Sequence, residues 1–217
     1  MSGTTPAVVA EYPWSDVLMP IDTPLPVSAI ILAGGKARRL GNCQKALLKL
    51  NGKPLLQYVI DRLQPQVQQI VISANVELDQ YRAFGLAVYP DKLGEDQGPL
   101  SGIASCIEHL QHDTVVVVPC DTPFLPIDLV SRMSSQNHSG FCIAFDGRRE
   151  QVLTMLFRRK LATKLGESVV AGQRKVMEWV HRQQPTLVDF SDKPDAFFNI
   201  NTPEDLATAR QELSRVE

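Results

Sequence analysis

Apolar positions along this chain alternate between short unbroken runs and stripes at helical spacing. Val27-Ser-Ala-Ile-Ile-Leu-Ala33 is an apolar run closed by Gly34-Gly35, and it reads as a buried strand. Leu55, Leu56, Val59, Ile60 and Leu63 then recur on one helical face, with Pro54 expected in the first turn, where its missing N–H does no harm. Residues 69–73 and 86–89 predict a second and a third strand. Leu100, Ile103, Ala104, Ile107 and Leu110 mark another amphipathic helix, and Thr114-Val-Val-Val-Val118 predicts a fourth strand buried on both faces.

Strands alternating with helices indicate a mostly parallel α/β sheet. Past residue 125 the pattern loosens. A helix is expected from Pro126, and residues 141–145 and 153–157 read as paired strands turning at Asp146-Gly147. Helices are expected between 158 and 182, and a late strand over 186–190. Thr202-Pro-Glu-Asp205 places a capping residue, a first-turn proline and two acids at a helix start. Residues 1–26 differ from the rest. Their five prolines (6, 13, 20, 24 and 26) and lack of period predict an extended arm before a single domain over 27–217. Trp14 and Val17-Leu-Met19 are the arm's candidates for docking onto the domain or a neighbouring chain.

Composition narrows the function classes. The 217 residues are 44% apolar and 21% charged, as in ordinary globular proteins. A net charge of −2 argues against a general nucleic-acid binder. No apolar run approaches the roughly 18 residues of a membrane span. The first 35 residues lack Lys and Arg, which excludes a secretory n-region and an Arg-rich transit peptide. The cysteines at 43, 106, 120 and 142 form no CxxC pair, so neither zinc nor a disulfide framework is expected and a reducing cytoplasm fits. Histidines 109, 112, 138 and 181 show no ligand spacing.

The chemistry gathers after the first strand, in Leu32-Ala-Gly-Gly-Lys-Ala-Arg-Arg-Leu-Gly-Asn-Cys-Gln-Lys45. Adjacent glycines let the backbone approach a ligand closely. Six basic residues (Lys36, Arg38, Arg39, Lys45, Lys49 and Lys53) occupy residues 34–60 with no acid among them. A positive loop at the carboxyl end of a parallel strand suits a polyphosphate. The spacing is neither a Walker A loop nor GxGxxG. Asp91 and Asp121 follow the third and fourth strands, so both acids are expected at one crevice, where a carboxylate and phosphate oxygens together would hold magnesium. Gly98-Pro-Leu-Ser-Gly102 opens a helix and admits a ligand near its amides. Asn199 and Asn201, two residues apart in an extended segment, are expected to face one side. With Thr202 serving as the cap, both are expected to be free for binding.

These motifs in this order (LAGGKARRLG with Lys45, LNGKPLLQYV, GPLSG, PCDTPF and FFNINTPEDL) resemble the molybdenum cofactor guanylyltransferase family from about Val27 onward. The resemblance implies a Rossmann-like three-layer α/β/α fold of the nucleotide-diphospho-sugar transferase type, with a small antiparallel part. It implies transfer of GMP from GTP to molybdopterin, with Mg2+ and release of pyrophosphate. By this resemblance Leu32, Ala33, Gly34, Gly35, Ser73 and Gly98 line the nucleotide, and Asp91 holds the nucleoside. Lys45 and Arg39 contact phosphates, Asp121 binds the metal, and Asn199 and Asn201 lie toward the pterin. A cytoplasmic monomer is implied, with transient contacts to other molybdenum cofactor biosynthesis proteins and to molybdoenzymes. Three positions depart from the family pattern. Gln44 stands where an Asp usually precedes the loop lysine. Ser73 stands where an Asn often ends the second strand, with Asn75 two residues on. Gln151-Val152 replaces a His-Pro or Gln-Pro. The alternatives are a transferase using CTP or another acceptor, and a cofactor-binding protein without turnover.

Overall fold

The computed structural model describes residues 23–34, 36–37, 43–92 and 98–214. Seven strands build one sheet: β1 (Leu25–Leu32), β2 (Val67–Ser73), β3 (Ala87–Tyr89), β4 (Thr114–Pro119), β5 (Phe141–Phe145), β6 (Glu150–Arg158) and β7 (Thr186–Asp189). Their spatial order is β7-β5-β6-β4-β1-β2-β3. Within this sheet β6 runs against the other six strands. The expected small antiparallel part of this sheet is this one strand, returned by the Asp146–Gly147 turn; two short antiparallel pairs, residues 36–37 with 43–44 and residues 49–50 with 53–54, lie outside it. Asp146 Oδ1 accepts the N–H groups of Arg148 and Arg149 at 2.8 and 2.7 Å, and Gly147 adopts φ 86°, a value that only glycine takes without strain.

Among the described residues, α-helices α1 (Leu55–Leu63), α2 (Leu78–Arg82), α3 (Pro99–Cys106), α4 (Leu129–Gln136), α5 (Lys160–Val170), α6 (Val176–Arg182) and α7 (Pro203–Ser214) accompany the sheet. The strands sort them into two layers by their period of two. Ala29, Ile31, Val116 and Val118 pack with Leu56, Val59, Val130 and Met133 of α1 and α4. Ile30, Val115 and Val117 pack with Leu100, Ile103, Leu165 and Trp179 of α3, α5 and α6. The valine run of β4 is fully buried because it serves both layers. A smaller cluster of Leu50, Leu55, Phe124, Ile200 and Ala209 seats α7.

Element boundaries differ from the sequence reading where caps and turns decide them. β1 begins at Leu25 rather than Val27, and its register with β2 breaks between Leu25 and Ser28. Pro26, which has no N–H to give a ladder, lies in that break. Pro54 caps α1 from just outside instead of entering its first turn. α4 starts at Leu129, because residues 126–128 are spent on a turn in which Leu129 N–H donates to Pro126 C=O. α2 was not anticipated, since five residues are too few to show a period.

Gln66 ties two of these elements together. It is 1% exposed, its Nε2 donates to the carbonyls of Arg62 and Pro126 at 2.8 and 3.0 Å, and its Oε1 accepts from Val130 N–H at 2.9 Å. Gln66→Leu removes all three bonds and takes the side-chain acceptor from Val130 N–H, while Pro126 C=O keeps Leu129 N–H, and a stability loss of about 2–3 kcal/mol in urea titration is expected.

Candidate functional site

Register places four strand ends in one row. Tyr89 lies opposite Ser73, Ser73 opposite Leu32, and Leu32 opposite Pro119. The chain then leaves the sheet on one edge, so Ala33, Ala74, Asp91, Cys120 and Asp121 emerge together. Residual ladder bonds hold the exits in place: Ala33 N–H to Ser73 C=O at 2.8 Å, and Cys120 N–H to Leu32 C=O at 3.1 Å. Above the row, on the α3 side, lies a cavity of about 270 Å³. Leu32, Gly34, Ser73, Asn75 and Asp91 line it from the strand ends, Gly98, Pro99 and Gly102 from α3, and Pro119, Cys120 and Leu153 from the centre.

Gly102 makes this geometry available. A Cβ there would stand 2.4 Å from Ser73 Oγ and 3.3 Å from Asp91 Oδ1. Asp91 is held by its backbone, whose N–H donates to Asn75 Oδ1 at 2.7 Å. Burial pushes the Asp91 carboxyl above its ordinary value, against opposing hydrogen bonds from Asn75 and Ser101. The result is a carboxylate with acceptor capacity in a poorly hydrated recess.

A second group of side chains stands beside Cys120. Lys45 Nζ lies 2.7 Å from Asp121 Oδ2 and also contacts Asn201 Oδ1. The Lys45 and Asp121 side chains are only 17% and 14% exposed, so this pair is better shielded than a surface salt bridge. The late segment is docked there by Ile200 N–H donating to Asp121 C=O at 2.9 Å. The capping expected at Thr202 is reciprocal. Thr202 Oγ1 accepts Asp205 N–H at 3.1 Å, while Asp205 Oδ2 accepts the N–H groups of Asn201 and Thr202, each at 2.8 Å. The sequence reading leaves Asn201 free for binding, and the structure corrects this: its side chain is engaged by Lys45. Asn199 Oδ1 and Gln44 Oε1 are buried and have no hydrogen-bond partner among the described residues.

The match to a family model, the MobA-like NTP transferase domain, spans residues 29–186. A molybdenum cofactor guanylyltransferase of Shewanella piezotolerans is 41% identical over 191 residues, covering 87% of this chain and 92% of that protein. Another, from Shewanella sp. (strain MR-4), is 39% identical over 194 residues, covering 88% and 98%. The chain belongs to the molybdenum cofactor guanylyltransferase family. Among solved structures, molybdopterin-guanine dinucleotide biosynthesis protein A from Archaeoglobus fulgidus superposes with TM-score 0.71 at 22% identity, covering 87% of this chain and 99% of that one. A nucleotidyl transferase from Methanothermobacter thermautotroptrophicus superposes with TM-score 0.72 at 15% identity, covering 88% and 99%. These two likenesses show the expected three-layer α/β/α fold.

Of the residues expected at the site, Leu32, Gly34, Ser73, Asp91 and Gly98 meet in the cavity, whereas Ala33 is buried in the cluster with α1 and α4 and does not line it. Lys45, Asp121 and Asn201 meet at its neighbour. Gly35 and Arg39 lie outside the described residues, as do residues 1–22 of the expected arm. The departures from the family pattern acquire surroundings. Ser73 and Asn75 line one recess, and Gln151 Nε2 donates to Asp146 Oδ2 at 2.6 Å. Gly102, Cys120 and Leu153 were not singled out as lining residues. Gly102 was visible in GPLSG, whereas Leu153 carries no local signal, because only the antiparallel return of β6 brings it to this edge.

Proposed function

We propose that this protein transfers GMP from GTP to molybdopterin, forming the guanine dinucleotide cofactor and pyrophosphate. One observation carries the reading: a recess bounded by Asp91, Ser73 and Gly102 adjoins the Lys45–Asp121–Asn201 cluster at the same sheet edge. The recess suits a nucleoside, and the cluster suits phosphates.

Guanine offers adjacent N–H donors, and the Asp91 carboxylate offers matching acceptors. The phosphates then extend toward Lys45. The terminal phosphate of molybdopterin attacks the α-phosphorus of GTP, a P–O bond forms, and the bond to the β-phosphate oxygen breaks to release pyrophosphate. Chemistry of this kind asks the protein for alignment and charge neutralisation rather than a covalent nucleophile. Lys45 stabilises negative charge on the transferring and departing phosphates. Among the described residues no group of three His, Cys, Asp or Glu side chains is placed to hold a metal. A single carboxylate beside substrate phosphates nonetheless fits magnesium, which commonly keeps such a sparse protein shell. Asp121 would hold that ion, and the ion would supply further charge neutralisation.

Lys45 is joined to Asn201, so an acceptor bound along residues 199–201 lies next to the phosphate-binding cation. The protein is read as a monomer acting on small molecules in the cytoplasm and passing its product to other cofactor-biosynthesis proteins and molybdoenzymes. Among the described residues no helix is long and apolar enough to cross a membrane.

The test is pyrophosphate release with each nucleoside triphosphate, with and without molybdopterin. Release that requires both GTP and the pterin is expected, and a preference for CTP would overturn the guanine assignment. Asp91 adds a pH signature. Its carboxyl is raised by burial, so it protonates at higher pH than an exposed aspartate and loses acceptor capacity. GTP affinity is therefore expected to fall on acidification, starting above the ordinary carboxylate midpoint, and to lose that dependence in Asp91→Asn. The same shift acts oppositely on stability. The folded state binds the proton more tightly than the unfolded chain, so Asp91's contribution to stability declines as pH rises through the window between the two midpoints.

A further inference from the structure

Past Leu32 the ladder bonds of β1 run out. Leu32 C=O still accepts Cys120 N–H, and Ala33 N–H still donates to Ser73 C=O. The next carbonyl, that of Ala33, is met instead by a side chain: Tyr81 O–H donates to it at 3.2 Å. Tyr81 lies on α2 and is fully buried. It packs with Ala33, Ala74, Val88 and Cys120 in the cluster that also holds α1 and α4, so it reaches the loop from that face of the sheet. The cavity lies on the opposite face, under Gly98 and Gly102 of the α3 layer.

The two groups of a trans peptide point in opposite directions. With its carbonyl turned toward Tyr81, the Ala33–Gly34 peptide directs the Gly34 N–H toward the α3 face and into the cavity that Gly34 lines. A glycine peptide is free to rotate away from this orientation, and the phenol holds it. We propose that Tyr81 is a positioning residue that aims the Gly34 backbone N–H at the bound nucleotide. The proposal rests on the cavity being the GTP site. Burial raises the Tyr81 phenol pKa well above its ordinary value, so the donor stays protonated wherever the enzyme works.

The test compares wild-type protein with Tyr81→Phe, which keeps the ring and removes only the donor. Loss of one buried hydrogen bond predicts about a ten-fold weaker GTP affinity. KM for GTP should rise by the same factor, while kcat at saturating GTP stays within about two-fold, a split that a general loss of packing would not produce. In 15N-labelled wild-type protein the Gly34 amide resonance should shift on GTP saturation, and in Tyr81→Phe that shift should shrink. Equal GTP affinity in the two proteins overturns the proposal while leaving the GTP site intact. An unmoved Gly34 amide in GTP-saturated wild type overturns it as well, even if Tyr81→Phe does not fold. Wild-type protein that binds no GTP overturns the site reading and this proposal together.

Discussion

Asp121→Asn is expected to lower pterin-dependent pyrophosphate release by about a hundred- to a thousand-fold, the scale seen when one preorganised electrostatic group is removed from a transition state. The substitution keeps the side chain's shape and an acceptor oxygen for Lys45, which lies 2.7 Å from Asp121 Oδ2. What disappears is the negative charge. Two consequences follow. Lys45 loses its counter-charge in a shielded position, with the two side chains only 17% and 14% exposed, and a cation at the phosphates loses its protein carboxylate. Neither loss removes the recess around Asp91 and Ser73, so binding of guanosine, which carries no phosphates, should stay within about two-fold of wild type. Calorimetric titration with guanosine and with GTP, beside steady-state rates, separates these expectations. Full activity in Asp121→Asn would show that the ion pair is structural and that phosphate chemistry is done elsewhere. The same measurements bear on the reading in which the chain binds cofactor without turnover, since that reading predicts no release from wild-type protein either.

Gly102→Val is the second large effect. Even a single Cβ at this position would lie 2.4 Å from Ser73 Oγ and 3.3 Å from Asp91 Oδ1. The serine hydroxyl would have to turn away, and two further methyl groups would crowd the cavity that Gly102 lines. Overpacking of this kind carries about 1–3 kcal/mol, which corresponds to roughly 5- to 150-fold in affinity when the ligand space absorbs it. GTP affinity is expected to fall by that factor while α3 remains folded. Gly166→Ala is the matched control. Gly166 lies inside α5, where a Cβ would meet nothing within 4 Å. Alanine there should leave GTP binding unchanged and raise stability by up to about 1 kcal/mol. Thermal melts and GTP titrations of both variants decide the matter. Unchanged affinity in a folded Gly102→Val protein would place the nucleoside away from Ser73 and Asp91.

Local pattern in this sequence determined which elements form and in what order. A strand needs only its own apolar run, as in the four valines of β4. A helix needs only its own stripe, as in α1, and a hairpin needs only its turn, as at Asp146-Gly147. The parallel character of the sheet follows from that alternation, and with it the edge at which Gly34, Asp91 and Asp121 emerge. Short or context-dependent features escaped. α2 is too brief for a period, and the starts of β1 and α4 depend on where Pro26 and Pro126 are accommodated.

The tertiary structure decided which side chains meet. Lys45 and Asn201 are 156 residues apart, and their contact exists only because Ile200 docks on the strand end that carries Asp121. Gly102 reads locally as a helix-opening glycine. Its importance comes from Ser73 and Asp91, which approach across the sheet into the space that a Cβ would fill. Tyr81 reads as one more polar-tipped aromatic until the fold brings its hydroxyl to the Ala33 carbonyl. The reason is the same in each case. Secondary structure is set by neighbours within a few residues, whereas a site is made of groups whose proximity depends on strand order, register and layer, and none of these is encoded at the positions that come together.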